Sequence, residues 1–91
     1  MSIITYSKPS CVQCSATERY LGRTPHSVID LTEDAEAFAT VRALGYLSAP
    51  VVIVRDDAGQ VLAHWSGFNP DALDRWMHAA TRSTLDLAAA A

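Results

Sequence analysis

Both cysteines of the chain, Cys11 and Cys14, lie within one motif, Cys11-Val12-Gln13-Cys14, directly after the apolar run Ile3-Ile4-Thr5-Tyr6 and directly before a helix-like run. A helix beginning near Cys11 puts both sulfurs on one side of its first turn, because side chains three apart face the same way. Side chains stacked in this way close a short disulfide with little backbone movement. Cys11 then lies where unpaired backbone N–H groups and the positive end of the helix dipole favour a thiolate. Lys8, the only lysine in the chain, is three residues upstream and adds positive charge. Thiolate is the attacking species, so a lowered pKa makes Cys11 the nucleophile. Cys14, one turn further in and more buried, is placed to attack the resulting mixed disulfide. The pattern points to reversible dithiol–disulfide exchange.

Two other uses of such a pair compete. A zinc half-site needs two more ligands, and the histidines His26, His64 and His78 are scattered without ligand spacing. Two inert structural cysteines fit the strand-to-helix position poorly. Redox chemistry is the reading the spacing favours.

Composition narrows the class. Ninety-one residues suit one domain, with residues 1–80 as its body and 81–91 as a tail that extends a helix or is disordered. The net charge of −3 offers no basic footprint, which disfavours nucleic acid as a partner. No apolar run approaches the roughly 20 residues that cross a membrane. Ile3-Ile4 is too short for the core of a signal peptide. A cysteine pair without an export signal predicts a cytoplasmic protein, where such disulfides are usually transient and catalytic.

Taken in order, the chain alternates strand and helix signals. Residues 3–6 are β-branched and aromatic, suiting a strand buried on both faces, and Pro9 ends it. A first helix is predicted from Cys11 to Leu21, with Cys14, Thr17 and Leu21 on one stripe and Gly22 as its cap. Val28 to Leu31 reads as a second strand, and a right-handed crossover makes it parallel to the first. Thr32 is the expected N-cap of a second helix that carries Ala35, Phe38, Val41 and Leu44 and stops at Gly45. Val51–Val54 forms a third strand after Pro50, and Asp56-Asp57-Ala58-Gly59 turns into an antiparallel fourth, Gln60 to Trp65. Asn69-Pro70-Asp71 opens a last helix, docked through Leu73, Trp76, Met77 and Ala80. The order β-α-β-α-β-β-α, with the cysteine pair at the first strand-to-helix junction, is a thioredoxin-type arrangement. It predicts an α/β fold with a central four-stranded mixed sheet flanked by three helices.

Four blocks carry a more specific likeness. Lys8-Pro9 before the Cys11–Cys14 motif, Ala43-Leu44-Gly45-Tyr46-Leu47, Ala49-Pro50-Val51-Val52 and His64-Trp65-Ser66-Gly67-Phe68 resemble the NrdH-type redoxins, small glutaredoxin-like proteins, over residues from about 2 to 78. The resemblance implies a thioredoxin fold, no bound cofactor, and a monomer that uses NADPH indirectly. It implies reduction by thioredoxin reductase and delivery of electrons to the catalytic subunit of class Ib ribonucleotide reductase. It also makes Cys11 the nucleophile, Cys14 the resolving thiol and Pro50 the cis-proline facing the disulfide. Lys8, Val12, Gln13, Ala49, Pro50, Trp65, Ser66, Gly67 and Phe68 then form the substrate and partner surface, and no residue is assigned to a metal.

Elementary chemistry is compatible with those roles. Pro50 has no N–H, and Ala49 before it can offer backbone groups to an extended substrate. Trp65 and Phe68 suit either an apolar rim around the thiols or core packing. Tyr46 reads as structural, and His64 as a packing or surface residue with no visible acid–base partner. The chain departs from the family at Ser7, where threonine is usual, and at Asn69, where arginine is common. Two other functions stay open. A glutaredoxin using glutathione or another low-molecular-weight thiol usually has Gly-Gly and paired acids where this chain has Ser66-Gly67-Phe68-Asn69-Pro70-Asp71. A redox-sensing thioredoxin-like module without turnover would need only the titratable thiols.

Overall fold

Four short runs rich in β-branched residues pair into one sheet, and the three helices between and after them close its two faces. The computed structural model describes residues 1–90, with side chains for residues 1–80. In chain order the elements are β1 (Ser2–Ser7), α1 (Val12–Leu21), β2 (Ser27–Asp30), α2 (Ala35–Ala43), β3 (Val51–Arg55), β4 (Val61–Ser66) and α3 (Pro70–Ala90). The sheet order is β2-β1-β3-β4. β1 and β2 run parallel, as a right-handed crossover through α1 requires, while β3 is antiparallel to both β1 and β4. The architecture is thioredoxin-like.

The core divides by the period of β3. Its residues Val51, Val52, Ile53 and Val54 are all 0% exposed, and successive side chains point to opposite faces. Val52 and Val54 join Ile3, Leu21 and Leu73 on the side covered by α1 and α3. Val51 and Ile53 join Tyr6, Ala37 and Val41 on the side covered by α2. Burying each such aliphatic side chain contributes about 1.5–3 kcal/mol, so this strand anchors both layers. In α1 the stripe Cys14, Thr17 and Leu21 is buried as its spacing predicts, and Gly22 caps the helix at φ +51°.

The second helix differs from its expected form. Its N-cap is Asp34, whose carboxylate accepts the Ala37 N–H at 3.0 Å, not Thr32. Thr32 is taken up in the preceding turn, where Asp30 Oδ1 accepts both its N–H at 2.8 Å and its hydroxyl at 2.6 Å. Those two bonds hold the Asp30 carboxyl below the usual carboxylate range. The helix also presents Ala37 and Val41 to the sheet, with Leu44 half-buried beyond them. Phe38 stays on the rim under the Arg42 guanidinium, 5.1 Å from its ring centroid. The second strand begins at Ser27, one residue before the predicted Val28, because Ser27 pairs with Ile4.

The last helix begins as predicted. Asn69 Oδ1 accepts the Ala72 N–H at 3.1 Å, Pro70 occupies the first turn, and Leu73, Trp76, Met77 and Ala80 pack on the α1 side of the sheet. The helix continues to Ala90, and the expectations for the tail 81–91 fall outside the described side chains. Among the described residues no helix is long and apolar enough to cross a membrane.

Candidate functional site

The site forms where β1 hands the chain to α1. Ser10 turns the backbone with φ 58°, a left-handed conformation uncommon outside glycine. Cys11 then takes an extended conformation and serves as the N-cap of α1 itself. Its Sγ accepts the Cys14 N–H at 3.2 Å, using one of the donors a helix start leaves unpaired. The two cysteines are joined as a disulfide with Cα atoms 5.2 Å apart. They are not equivalent: Cys11 is half-buried, whereas Cys14 is 1% exposed. An attacking partner reaches only the outer sulfur.

Two further segments frame it. The Ala49–Pro50 bond is cis, and the Ala49 carbonyl oxygen lies 3.8 Å from Cys11 Sγ. The segment Ser66–Phe68 follows β4 and is tied to both neighbours. The Ser66 hydroxyl donates to the Ser48 carbonyl at 3.1 Å, and the Gly67 N–H to the Pro50 carbonyl at 2.8 Å. The Phe68 N–H donates to Gln13 Oε1 at 2.9 Å, which closes a ring of contacts around the dithiol. Gly67 is required there twice over: its φ is +85°, and an added Cβ would stand 3.1 Å from Gln13 Oε1.

The opening is apolar at its edges. Val12, in the groove with Cys11 and Cys14, is 81% exposed, and Leu47 is 82% exposed. Lys8 lines that groove and also a neighbouring recess of about 210 Å³. Leu31, Phe38, Val41, Tyr46, Leu47 and Ala49 give the recess apolar walls, with Lys8 and Arg42 as its cations. Because Ala49 belongs to the recess and also touches Cys11 Sγ, a chain docked at the sulfur has somewhere to place an apolar side chain.

Of the residues singled out in the sequence, Lys8, Val12, Gln13, Ala49, Pro50, Ser66, Gly67 and Phe68 all gather around Cys11 and Cys14. Trp65 does not join the rim. It packs half-buried against the cluster of Ile3, Leu21, Val52, Val54 and Leu73, with its indole N–H buried and lacking a hydrogen-bond partner. His64, expected to lack a partner, shares a 2.7 Å hydrogen bond with the Tyr46 hydroxyl, their rings edge to face. Tyr20 carries no distinguishing signal in the sequence, yet its hydroxyl donates to Asp74 at 2.7 Å and its ring meets Phe68 edge-on at 5.7 Å. The Asp74 bond pushes the Tyr20 hydroxyl above its ordinary pKa. No sequence signal announces these pairs, because each partner lies on a different element. Among the described residues no cluster of His, Cys, Asp or Glu is able to hold a metal ion.

Chemically, the arrangement can cycle between disulfide and dithiol, with one sulfur presented and the other held in reserve. The glutaredoxin family model matches residues 3–58 of the chain. The glutaredoxin-like protein NrdH of Salmonella typhimurium is 38% identical over 79 residues, which span 82% of this chain and 88% of that protein. A prophage-derived thioredoxin-like protein of Bacillus subtilis, YosR, is 29% identical over 76 residues, spanning 81% of this chain and 91% of that one. Among solved structures, the NrdH-redoxin of Escherichia coli, a glutaredoxin-like protein with a thioredoxin-like activity profile, superposes with a TM-score of 0.71. It is 36% identical and covers 82% of this chain and 93% of its own.

Proposed function

The chain belongs to the glutaredoxin family and is an NrdH-like thiol–disulfide oxidoreductase, and from that premise we propose that it is an electron donor in the cytoplasm that is reduced by thioredoxin reductase and reduces class Ib ribonucleotide reductase. The observation that carries this reading is the inequality of the two sulfurs: Cys11 is presented and accepts a helix-start N–H, while Cys14 is buried behind it.

In the forward half-cycle the Cys11 thiolate attacks one sulfur of the substrate disulfide. That S–S bond breaks, the attacked sulfur joins Cys11 in a mixed disulfide, and the other substrate sulfur leaves as a thiolate. The Cys14 thiol then loses its proton and attacks Cys11 Sγ, so the mixed disulfide breaks and the attacked substrate sulfur leaves in turn. Each departing thiolate takes up a proton. The protein ends as the Cys11–Cys14 disulfide and the substrate as a dithiol, two electrons having moved. Reduction of the protein runs the same steps in reverse against a partner dithiol, which draws its electrons from NADPH through the reductase.

The surroundings suit a protein substrate. An extended chain laid along Ala49 meets Cys11 at one end and the apolar recess beside Lys8 and Arg42 at the other. The opposite wall, Ser66–Phe68, has the N–H groups of Gly67 and Phe68 already paired, which leaves them unable to hold a small thiol's carboxylate. The protein acts as a monomer and binds no cofactor of its own.

The test is NADPH oxidation with a protein disulfide as substrate under two reducing systems. Turnover with thioredoxin reductase but not with glutathione and glutathione reductase is expected, and oxidised class Ib ribonucleotide reductase is the next substrate. Turnover with glutathione alone would make this a glutathione-dependent glutaredoxin and reverse the reading.

A further inference from the structure

We propose that Gln13 is a positioning residue that latches the Ser66–Phe68 wall to the sulfur-bearing helix and so holds the substrate cleft at its working width. The inference rests on the reading that the dithiol serves a protein disulfide. It starts from how unevenly the wall is tied. Towards the cis-proline loop the ties end on main-chain carbonyls, Ser66 hydroxyl to Ser48 and Gly67 N–H to Pro50. Towards α1, which carries both sulfurs, the wall's backbone is tied by the 2.9 Å bond from Phe68 N–H to Gln13 Oε1. Of the two side chains between the cysteines, Gln13 thus reaches across the cleft to the wall, while Val12 is turned out to solvent.

Two features make that bond specific to glutamine's reach. Gly67 leaves the space that Gln13 occupies, since a Cβ there would come within 3.1 Å of Oε1. Asparagine is one methylene shorter and cannot span the same gap from the same helix position. The wall lies at the surface: Phe68 is 38% exposed, and its ring meets Tyr20 of α1 edge-on. Releasing its N–H lets the segment widen away from Cys11, which weakens docking without touching either sulfur. The bond is exposed to water, so its net worth is that of one ordinary hydrogen bond.

The experiment compares Gln13→Met, which keeps the bulk but loses the acceptor, with Gln13→Glu, which keeps an acceptor oxygen at the same reach. Amide exchange at Phe68 is measured first. Loss of protection by about tenfold at that residue in Gln13→Met, and its recovery in Gln13→Glu, is the expected result. Reduction of fluorescently labelled insulin is then followed with dithiothreitol as electron source. Gln13→Met should raise KM about three- to tenfold with little change in kcat, and Gln13→Glu should bring KM back. Phe68 protection unchanged in Gln13→Met, or protection lost with KM unmoved, would overturn the latch. The functional reading fails differently, through a native protein that reduces no insulin disulfide at all, while Phe68 exchange still reports on the bond.

Discussion

The starts of α1 and α2 solve the same problem with different atoms. Each helix opens on an extended N-cap whose side chain accepts the N–H three residues on, from Cys14 to Cys11 Sγ at 3.2 Å and from Ala37 to Asp34 Oδ1 at 3.0 Å. α3 follows the second pattern, with Asn69 accepting from Ala72 at 3.1 Å. A carboxylate or amide oxygen is a strong acceptor and sulfur a weak one. α2 and α3 therefore gain cap strength, whereas α1 forgoes some of it to hold a sulfur beside helix-start N–H groups. Those groups stabilise the cap more as the sulfur becomes an anion, so the weak cap of the disulfide becomes a strong one for the thiolate.

The largest expected effect breaks this comparison at α1. Cys11→Ser should abolish turnover, and in a reducing thermal melt near neutral pH its Tm should fall below that of the reduced native protein, because a neutral hydroxyl gives up the thiolate's interaction with the helix start. A Tm equal to or above it would mean that the sulfur caps no better than a neutral group. At α2 only stability should fall. Asp34→Ala should cost about 1 kcal/mol, lowering Tm by about 4–8 °C for a domain of this size, with insulin reduction unaltered. An equal loss of activity would show that α2 is coupled to the dithiol through the recess it lines.

The smallest effect concerns Tyr20, on the exposed side of α1. Its bond to Asp74 raises the hydroxyl's pKa, so that contribution to stability is complete below the usual tyrosine value of 10.0 and is lost as pH rises through the raised folded value. Tyr20→Phe should therefore lower the urea midpoint slightly near pH 8, and the gap should close above about pH 10. A gap that stays constant across that range would mean that ionisation of the hydroxyl does not set it, and the bond to Asp74 would not be its source.

Local rules carried much of the architecture. Two cysteines at a strand-to-helix junction, β-branched runs, the Asn69-Pro70-Asp71 start and the stripe Cys14, Thr17, Leu21 are all short-range patterns, and each became the element it predicted. The start of α2 shows where such rules fail. Thr32 and Asp34 are both competent caps, and the choice fell to Asp34 because Asp30 captures Thr32 with two hydrogen bonds. Propensity ranks caps one at a time and does not see that competition. Trp65 shows a second limit: an aromatic residue beside the motif reads equally as rim or core, and only the face of β4 on which it emerges sends it to the cluster around Leu21 and Leu73.

The amino-acid sequence by itself determined the order of elements, the pairing of Cys11 with Cys14 and the family to which the chain belongs, because each depends on residues close together along the chain. Tertiary structure alone decided what surrounds the sulfurs, the Ala49 carbonyl against Cys11 and Phe68 held by Gln13, and it also joined Tyr46 to His64. Those contacts join residues from 18 to 55 positions apart. Such pairs come within reach only after the sheet order β2-β1-β3-β4 has set three loops side by side, and that order is settled by burying β3 on both faces.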